Sequence, residues 1–281
     1  MTSGADTSPE KLAAWVRLNT SQRIQPPVNV VGLATEFGAS VVPDSSKDSP
    51  IGRTSDERGR RVIYYRLEHD QDPSLVTVRQ RFTIAHELGH HLLSTRLGLT
   101  LEKQVNKPTL ESYCDRFASS ILMPRNWVQE RWGSVSPTLA HLRDVSRSAD
   151  VSMHAAAIAL REYAGWERAF LQWQWYDSKW RLRTKVMSSL LVHDVTSSNS
   201  TSDQLSTVSR EQDSEIDLPL KVGGQTVTVG AEVRRGKTTW AIISEEQLSV
   251  SWHRSLRERA VGRAPSAWSS QRAGSGQGMS I

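Results

Sequence analysis

The sequence contains almost no cysteine and no long hydrophobic run. A single cysteine, Cys114, among 281 residues excludes an intrachain disulfide framework and is typical of a reducing compartment. No stretch approaches the roughly 18 consecutive apolar residues of a membrane-spanning helix, so we expect no contact with a membrane interior. The N-terminus also lacks a basic region followed by an apolar stretch, and we therefore expect no secretory signal. Together these absences predict a cytoplasmic protein.

An excess of charge of one sign is also missing from most of the chain. The net charge is +5, yet residues 1–164 carry 20 basic and 18 acidic side chains, and residues 165–252 carry 10 and 11. Residues 253–281 carry 5 basic side chains and 1 acidic one among Ser, Gly, Ala and Pro. This composition predicts a basic disordered tail. We expect at most weak, non-specific nucleic-acid binding through the tail, and we favour a solubilising role for it.

The run RFTIAHELGHH, from Arg81 to His91, carries a histidine pair within a helical pattern. Because an α-helix turns once in about 3.6 residues, His86 and His90 point from one face and can bind one ion together. Zinc prefers such nitrogen ligands, and a catalytic zinc site uses three protein ligands and leaves a fourth position to water. Glu87 lies beside the ligand face, where the glutamate of such motifs accepts a proton from the attacking water. The alternative is a core helix whose histidines are satisfied by carboxylates or backbone carbonyls.

The residues around this motif predict the helix that it needs. Thr77-Val-Arg-Gln80 has the capping-box pattern, which makes Thr77 the candidate N-cap. Apolar positions then follow at helical spacing, namely Phe82, Ile84, Ala85, Leu88, Leu92 and Leu93. The pattern therefore indicates a helix with a buried face.

A second helix is expected between Thr109 and Leu122, because apolar residues recur there at helical spacing and Pro124 ends the pattern. Glu111 and Asp115 lie four residues apart and share one face of that helix. We expect Glu111 to be the third metal ligand. We expect Asp115 to accept the free ring N–H of a ligating histidine. The alternative is that both are solvated acids on a helix surface.

Together the two segments resemble the ImmA/IrrE family of metallo-endopeptidases, a gluzincin-type group. The matching runs are RFTIAHELGH and ESYCDRFASSILMP, and the resemblance covers roughly residues 8–164. It implies a small cytoplasmic protease that uses Zn²⁺, or Mn²⁺ in its place. By position, His86, His90 and Glu111 would bind the metal and Glu87 would be the catalytic base. The family often has alanine where this chain has Cys114, which we expect to be a core residue.

The same resemblance implies the partner of the protein. The usual substrate in the family is a regulatory protein, in most cases a helix-turn-helix repressor of a mobile element or a stress regulon. A different hypothesis is a regulator that contains structural zinc and binds DNA or a repressor without hydrolysis. The donor that would stabilise the oxyanion of a hydrolytic reaction stays open among Tyr64, Tyr65, Tyr113, His91 and His141.

The pattern of elements predicts an α+β fold, in which a zincin-like N-terminal domain precedes a helical extension and a β-rich C-terminal domain. The predicted segments are 1–124, 125–164, 165–252 and the tail 253–281. In the first segment we expect helices over 9–18 and 28–37 and strands over 40–43, 51–53 and 61–66. If strand 61–66 forms the sheet edge beside the metal-binding helix, a substrate could pair with it as a further strand. The alternative is that this strand is paired on both sides.

The later segments carry weaker functional signals. Residues 142–160 are similar to a helix-turn-helix, with the turn at Asp150 to Ser152. The second helix offers little for base reading, which favours packing on the core or holding a protein substrate. Strand patterns joined by hairpin signals follow, at 166–176, 179–186, 216–222, 225–233 and 238–243.

Two features of the β-rich segment are expected from composition. The Ser-rich stretch 196–214 predicts a mobile surface loop. Seven of the 10 tryptophans follow residue 165. Core packing is the default interpretation of these tryptophans, and a ligand or partner face is the alternative.

Overall fold

The computed structural model describes residues 8–46, 49–68, 70–97, 107–187, 195–208, 213–235 and 238–248, together with residues 250 and 253. Its α+β architecture confirms the predicted fold class. Helices and a three-stranded sheet make up the N-terminal part, and a six-stranded sheet dominates the C-terminal part. Within the described ranges, none of the helices has the length and apolarity that crossing a bilayer requires.

The N-terminal part begins with two helices and a mixed sheet. Its elements are α1 (Pro9–Asn19), α2 (Val30–Glu36), β1 (Ala39–Asp44), β2 (Gly52–Glu57) and β3 (Arg60–Arg66). Both helices start at a polar cap, because the side chains of Ser8 and Asn29 accept hydrogen bonds from the first turns. The strand order is β1-β3-β2, with β1 parallel and β2 antiparallel to β3.

This strand order decides between the two alternatives for strand 61–66 in favour of pairing on both sides. β3 contains those residues and lies in the centre, paired on both sides. The physical reason is that Val62, Ile63 and Tyr65 are buried, as expected of a central strand. The polar sequence GRTSDE of β2 is typical of an edge strand. The edges of the described sheet are therefore β1 and β2, and not β3.

Helices form the next stretch of the chain. They are α3 (Val78–Leu97), α4 (Lys107–Leu122), α5 (Arg125–Trp132), α6 (Leu139–Ala149) and α7 (Met153–Ala164). Asp150 adopts the left-handed conformation (φ 51°) at the end of α6, and Ser152 caps α7, so the turn lies where the sequence predicts it. α7 buries Ala156, Ala157 and Leu160. Its apolar face therefore packs on the core.

The C-terminal part is built on an antiparallel sheet. Its elements are β4 (Arg168–Tyr176), β5 (Lys179–Val186), β6 (Val195–Ser197), α8 (Asn199–Thr207), β7 (Ser214–Val222), β8 (Gln225–Arg234) and β9 (Thr238–Ser244). The strand order is β5-β4-β9-β8-β7-β6. One face of the sheet contributes Phe170, Val186, Trp240 and Ile242 to the core of the N-terminal helices. The other face covers a second core with Leu171, Trp173 and Ile243 among its residues.

The prediction of a mobile loop at 196–214 is wrong for its first part, residues 196–207. Residues 195–197 pair with β7, and residues 199–207 form α8. The side chains of Ser198 and Thr201 make a capping box, and Leu205 and Val208 are buried in the second core. Composition misleads here because Ser and Thr can cap a helix, and two apolar residues suffice to anchor a short one. Residues 209–212 lie outside the described ranges.

Most of the described tryptophans of the C-terminal part are core residues. Trp166, Trp173, Trp180 and Trp240 are buried, whereas Trp175 is 49 % exposed. This distribution favours the core-packing interpretation. The segment boundaries at 124, 164 and 252 stay predictions, and residues 254–281 of the predicted tail lie outside the described ranges.

Candidate metal centre

Helix α3 begins with the predicted capping box. The Gln80 amide donates to Thr77 Oγ1 (3.4 Å), and the Thr77 amide donates to Gln80 Oε1 (2.8 Å). The side-chain amide of the buried Gln80 also donates to the carbonyl oxygen of Arg66 (2.8 Å), which joins the start of α3 to the end of β3. The cap therefore fixes the residue at which α3 begins, and the bond to Arg66 fixes the start of α3 against the end of β3.

Arg81, the first residue of the histidine motif, has a structural role that its sequence context does not reveal. Its guanidinium donates to the carbonyl oxygens of Val28 (2.8 Å) and Asp150 (3.1 Å) and pairs with the Asp150 carboxylate (3.1 Å). Burial lowers the pKa of Arg81, and the three acceptors offset that loss of hydration. The side chain thus holds α3 against the start of α2 and the turn after α6.

Helices α3 and α4 approach each other closely at Gly89. A Cβ atom there would lie 3.0 Å from Phe117 Cδ1 and 3.3 Å from Cys114 Sγ. Both neighbours are fully buried, so neither has free space to move into, and Cys114 is the core residue that the sequence predicts. The absence of a side chain at Gly89 therefore permits the approach that brings Glu111 of α4 next to the histidines of α3.

Three ligand atoms converge between the two helices. His86 Nε2 lies 3.1 Å from His90 Nε2 and 3.1 Å from Glu111 Oε2, and His90 Nε2 lies 3.7 Å from Glu111 Oε2. Bonds of about 2.0–2.1 Å in a tetrahedral zinc site place two ligand atoms about 3.4 Å apart. The observed triangle matches that spacing. Among the described residues, this is the group of His, Cys, Asp and Glu side chains that could hold a metal ion.

Asp115 lies where the sequence predicts it, on the far side of a histidine ring. Its Oδ1 is 2.8 Å from His86 Nδ1, a hydrogen-bond distance from a ring N–H to a carboxylate. A proton on Nδ1 leaves Nε2 with its lone pair free for the ion. The 2.8 Å contact is thus compatible with the tautomer that carries its proton on Nδ1.

Glu87 contacts β2 and lines the same cleft as His90 and Glu111. It is only 9 % exposed, and Thr54 Oγ1 donates to its Oε2 at 2.7 Å. Gly52 allows the strand to lie this close, because a Cβ atom there would be 3.0 Å from Glu87 Oε1 and would overlap Thr83. Sequence reasoning missed Thr54 and Gly52, since contacts between a strand and a helix 30 residues away leave no local pattern.

A cleft of about 320 Å³ lies between strands β2 and β3 and helices α3 and α4. Gly52, Thr54, Arg61, Glu87, His90 and Glu111 line it. Sequence reasoning also missed Arg61, which it placed in a strand without a functional role. The Arg61 guanidinium donates to Ser94 Oγ on α3 at 2.8 Å and lies 3.9 Å from the nearest Asp56 oxygen.

The side chains considered as oxyanion donors lie elsewhere, and none of the five lines this cleft in the described part of the chain. The Tyr64 hydroxyl donates to Glu57 (2.5 Å), and the Tyr65 hydroxyl donates to the Pro73 carbonyl (3.4 Å). The His91 ring contacts the Phe37 carbonyl (2.8 Å). The His141 ring contacts Thr138 and the Ser136 carbonyl. The Tyr113 hydroxyl is buried, and this burial raises its pKa to about 12.

Comparisons with known proteins match part of this chain. The family model of the IrrE N-terminal-like domain, Peptidase M78, matches residues 34–161. Two radiation response metalloproteases IrrE, from Deinococcus radiodurans and Deinococcus deserti, are each 34 % identical over 90 residues, which is 30 % of this chain. The matched part is 27 % and 32 % of their lengths, so the chain spans at most about a third of either relative.

A solved structure shares the overall fold. It is a Mycobacterium tuberculosis transcriptional regulator, with a TM-score of 0.50 and 13 % sequence identity. The similarity covers 83 % of this chain and 74 % of that chain. At this identity the likeness shows the fold alone.

Proposed function

Since residues 34–161 form a domain of the ImmA/IrrE family, we propose that this chain is a cytoplasmic zinc-dependent endopeptidase that cleaves a regulatory protein. The proposed substrate is a helix-turn-helix repressor of a mobile element or a stress regulon. The observation that carries the proposal is the convergence of His86, His90 and Glu111 at a cleft that His90, Glu111 and Glu87 line.

His86, His90 and Glu111 would hold the ion through Nε2, Nε2 and Oε2. Zinc bound there supplies Lewis-acid chemistry, since it lowers the pKa of a water ligand to about 7 and polarises a carbonyl oxygen. Two neutral imidazoles and one carboxylate are the donor set of many zinc peptidases, and Mn²⁺ is the alternative ion. Asp115 keeps His86 in the tautomer that leaves Nε2 available.

Glu87 would be the general base. Thr54 donates to Oε2, which leaves Oε1 to accept the proton of the attacking water and to deliver it to the leaving amine. The hydrogen bond also fixes the carboxylate on one side of the cleft. Glu87 is almost fully buried, so few waters compete for it once a substrate fills the cleft.

The open edge of β2 would bind the substrate as an added strand. β2 pairs with β3 on one side only, and Gly52 and Thr54 place it along the cleft. Main-chain hydrogen bonds to such an edge bind an extended peptide with little regard to sequence. An extended substrate is typical of cleavage within an unfolded linker between two domains of a regulator.

The test uses Glu87→Gln in the full chain. This change keeps the side-chain size and removes the base, so we expect cleavage to fall by about 10²–10⁴-fold while the zinc content is unchanged. The probes are purified helix-turn-helix repressors from the same genome, those encoded in neighbouring reading frames first, incubated with zinc or manganese and followed by electrophoresis. Zinc content is measured by mass spectrometry of the metal.

Two controls make the result decisive. His90→Ala should lose both bound zinc and cleavage, whereas Glu162→Gln, an exposed glutamate on α7, should lose neither. Retained cleavage in Glu87→Gln would contradict the assigned base. Unchanged repressor control in cells that carry Glu87→Gln would instead support a regulator that binds without hydrolysis.

A further inference from the structure

We propose that Arg61 determines specificity by binding the carboxylate of an acidic side chain in the substrate, close to the scissile bond. This inference rests on the proposed endopeptidase function and names a property that its substrates would share. Arg61 is the cationic side chain among the described residues that line the cleft. The other charged groups that line it are Glu87 and Glu111, to which the function assigns different roles.

The position of Arg61 is rigid. The residue lies on the central strand β3, where its backbone pairs with Ala39 of β1 and Asp56 of β2. Ser94 Oγ accepts one of its N–H groups at 2.8 Å, and Ser94 is itself buried on α3. A guanidinium held at both ends of its side chain loses little conformational entropy when it binds a ligand.

The Arg61 guanidinium also has N–H donors that Ser94 does not use. It carries five N–H donors, of which Ser94 takes one. In the described part of the chain no carboxylate reaches it within hydrogen-bond distance, since the nearest Asp56 oxygen is 3.9 Å away. The side chain is 28 % exposed, so a ligand in the cleft can reach it. Nη2 donates to Ser94 and Nε faces Asp56, so the remaining N–H groups, including those of Nη1, are the ones that can bind a substrate carboxylate.

The position of Ser94 along α3 separates two roles that Arg61 could have. These are binding of a substrate side chain and stabilisation of the reacting oxygen atom. Ser94 follows His90 by four residues, which is about 6 Å along the helix axis. An oxyanion donor must lie about 2.7–3.1 Å from the reacting oxygen. An extended peptide rises about 3.3 Å per residue, so Arg61 would meet a substrate side chain about two residues from the scissile bond.

The test measures binding of zinc-directed probes to the full-length, zinc-loaded protein. The probes are tripeptide hydroxamates in pairs that differ only by Asp or Asn at one position, scanned over all three positions. Isothermal titration calorimetry should show one position at which Asp binds about tenfold or more tightly than Asn, as a charge-assisted hydrogen bond would give. Arg61→Gln should abolish that preference.

Two further variants, Arg61→Glu and Arg60→Gln, complete the binding experiment. Arg61→Glu should shift the preference at the same position to Lys, whereas Arg60→Gln, an exposed neighbour on the same strand, should leave the preference for Asp unchanged. Melting temperature and zinc content identify any variant that fails to fold, and Arg61→Lys then supplies a milder change that should weaken the preference without removing it.

Two outcomes would overturn the inference, and they are distinguishable. Equal binding of Asp and Asn probes at every position, by protein that holds zinc and binds the hydroxamate, would contradict the role of Arg61 alone. Protein that takes up neither zinc nor hydroxamate would contradict the proposed function, and the role of Arg61 would fall with it.

Discussion

The ring of His86 is held at both of its nitrogen atoms. Nε2 belongs to the ligand triangle, and Nδ1 lies 2.8 Å from Asp115 Oδ1. Asp115 sits one helical turn after Glu111, so a single face of α4 supplies both the proposed third ligand and the proposed hydrogen-bond acceptor for His86. If these roles hold, metal binding should depend on a residue outside the triangle.

The first prediction concerns Asp115. In Asp115→Ala the His86 ring loses its acceptor and can rotate or take the other tautomer, so zinc affinity should fall by about 10–100-fold. Competition with a chromophoric chelator measures this affinity. Asp144→Ala, which removes an exposed aspartate from α6, should leave it unchanged. An unaltered zinc affinity in Asp115→Ala would show that packing alone orients the ring.

At the scale of elements, the distance between β2 and α3 sets the width of the cleft. Gly52 faces Thr83 and Glu87 across this contact, and a Cβ atom at Gly52 would overlap Thr83 Cγ2. Thr54, two residues on, donates to the Glu87 carboxylate. A shift of the strand would therefore change both the packing and the orientation of the proposed base.

The second prediction tests this contact with a rescue. Gly52→Ala should push β2 away from α3, lower the free energy of unfolding by about 1–3 kcal/mol and reduce cleavage. Thr83→Ser removes the overlapping methyl group and keeps the hydroxyl that donates to the Arg79 carbonyl. The double variant should therefore recover much of both losses in urea denaturation and in cleavage assays. Additive losses in the double variant would place the strain elsewhere.

How far the sequence predicts the site depends on how local each contact is. His86 and His90 share a helix face because of helix geometry alone, and the same rule places Glu111 beside Asp115. Periodicity also predicts that both helices are apolar on one side. These calculations need no knowledge of the tertiary fold.

The contacts of β2 and Arg61 depend on tertiary structure and could not be predicted in this way. Thr54 meets Glu87, and Arg61 meets Ser94, across 33 residues in each case. The order of the three strands decides which of them borders the cleft, and a hydrophobic pattern identifies strands without ordering them. The apolar pattern of β3 marks a buried central strand. The sheet edge that borders the cleft therefore belongs to the polar β2.

At the scale of the whole molecule, polar contacts connect the helical part to the C-terminal sheet. Arg143 on α6 makes two hydrogen bonds of 2.6 Å to the Asp213 carboxylate, and Arg161 on α7 pairs with Glu245. Glu232 on β8 accepts a hydrogen bond from the Leu139 amide at the start of α6 (3.0 Å). These contacts surround the apolar junction formed by Phe170, Trp240 and Ile242, so the sheet and the helices should unfold together.

The third prediction follows from the pKa of Asp213. Hydrogen bonds from Arg143 hold this pKa below the usual value for aspartate, whereas burial raises the pKa of Glu232. An acid with a lowered pKa in the folded state contributes stability that is fully present above its unfolded pKa, about 3.9, and is lost as the pH falls through the folded value. Glu232 acts in the opposite sense, because its protonation at falling pH relieves the cost of burying its charge.

Comparing variants removes most of the contribution of Glu232, because both proteins contain it and burial, rather than the charge of Asp213, is the largest cause of its raised pKa. Asp213→Asn should be less stable than the unsubstituted protein by about 1–2 kcal/mol at pH 7, since the partly buried Arg143 loses its charged partner. This difference should shrink as the pH is lowered below about 4, where the unsubstituted protein loses the same ion pair. Urea denaturation at several pH values measures it, with Asp217→Asn, an exposed acid on β7, as the matched control. A difference that stays constant down to pH 3 would mean that the loss does not come from the charge of Asp213, and that this ion pair does not stabilise the junction.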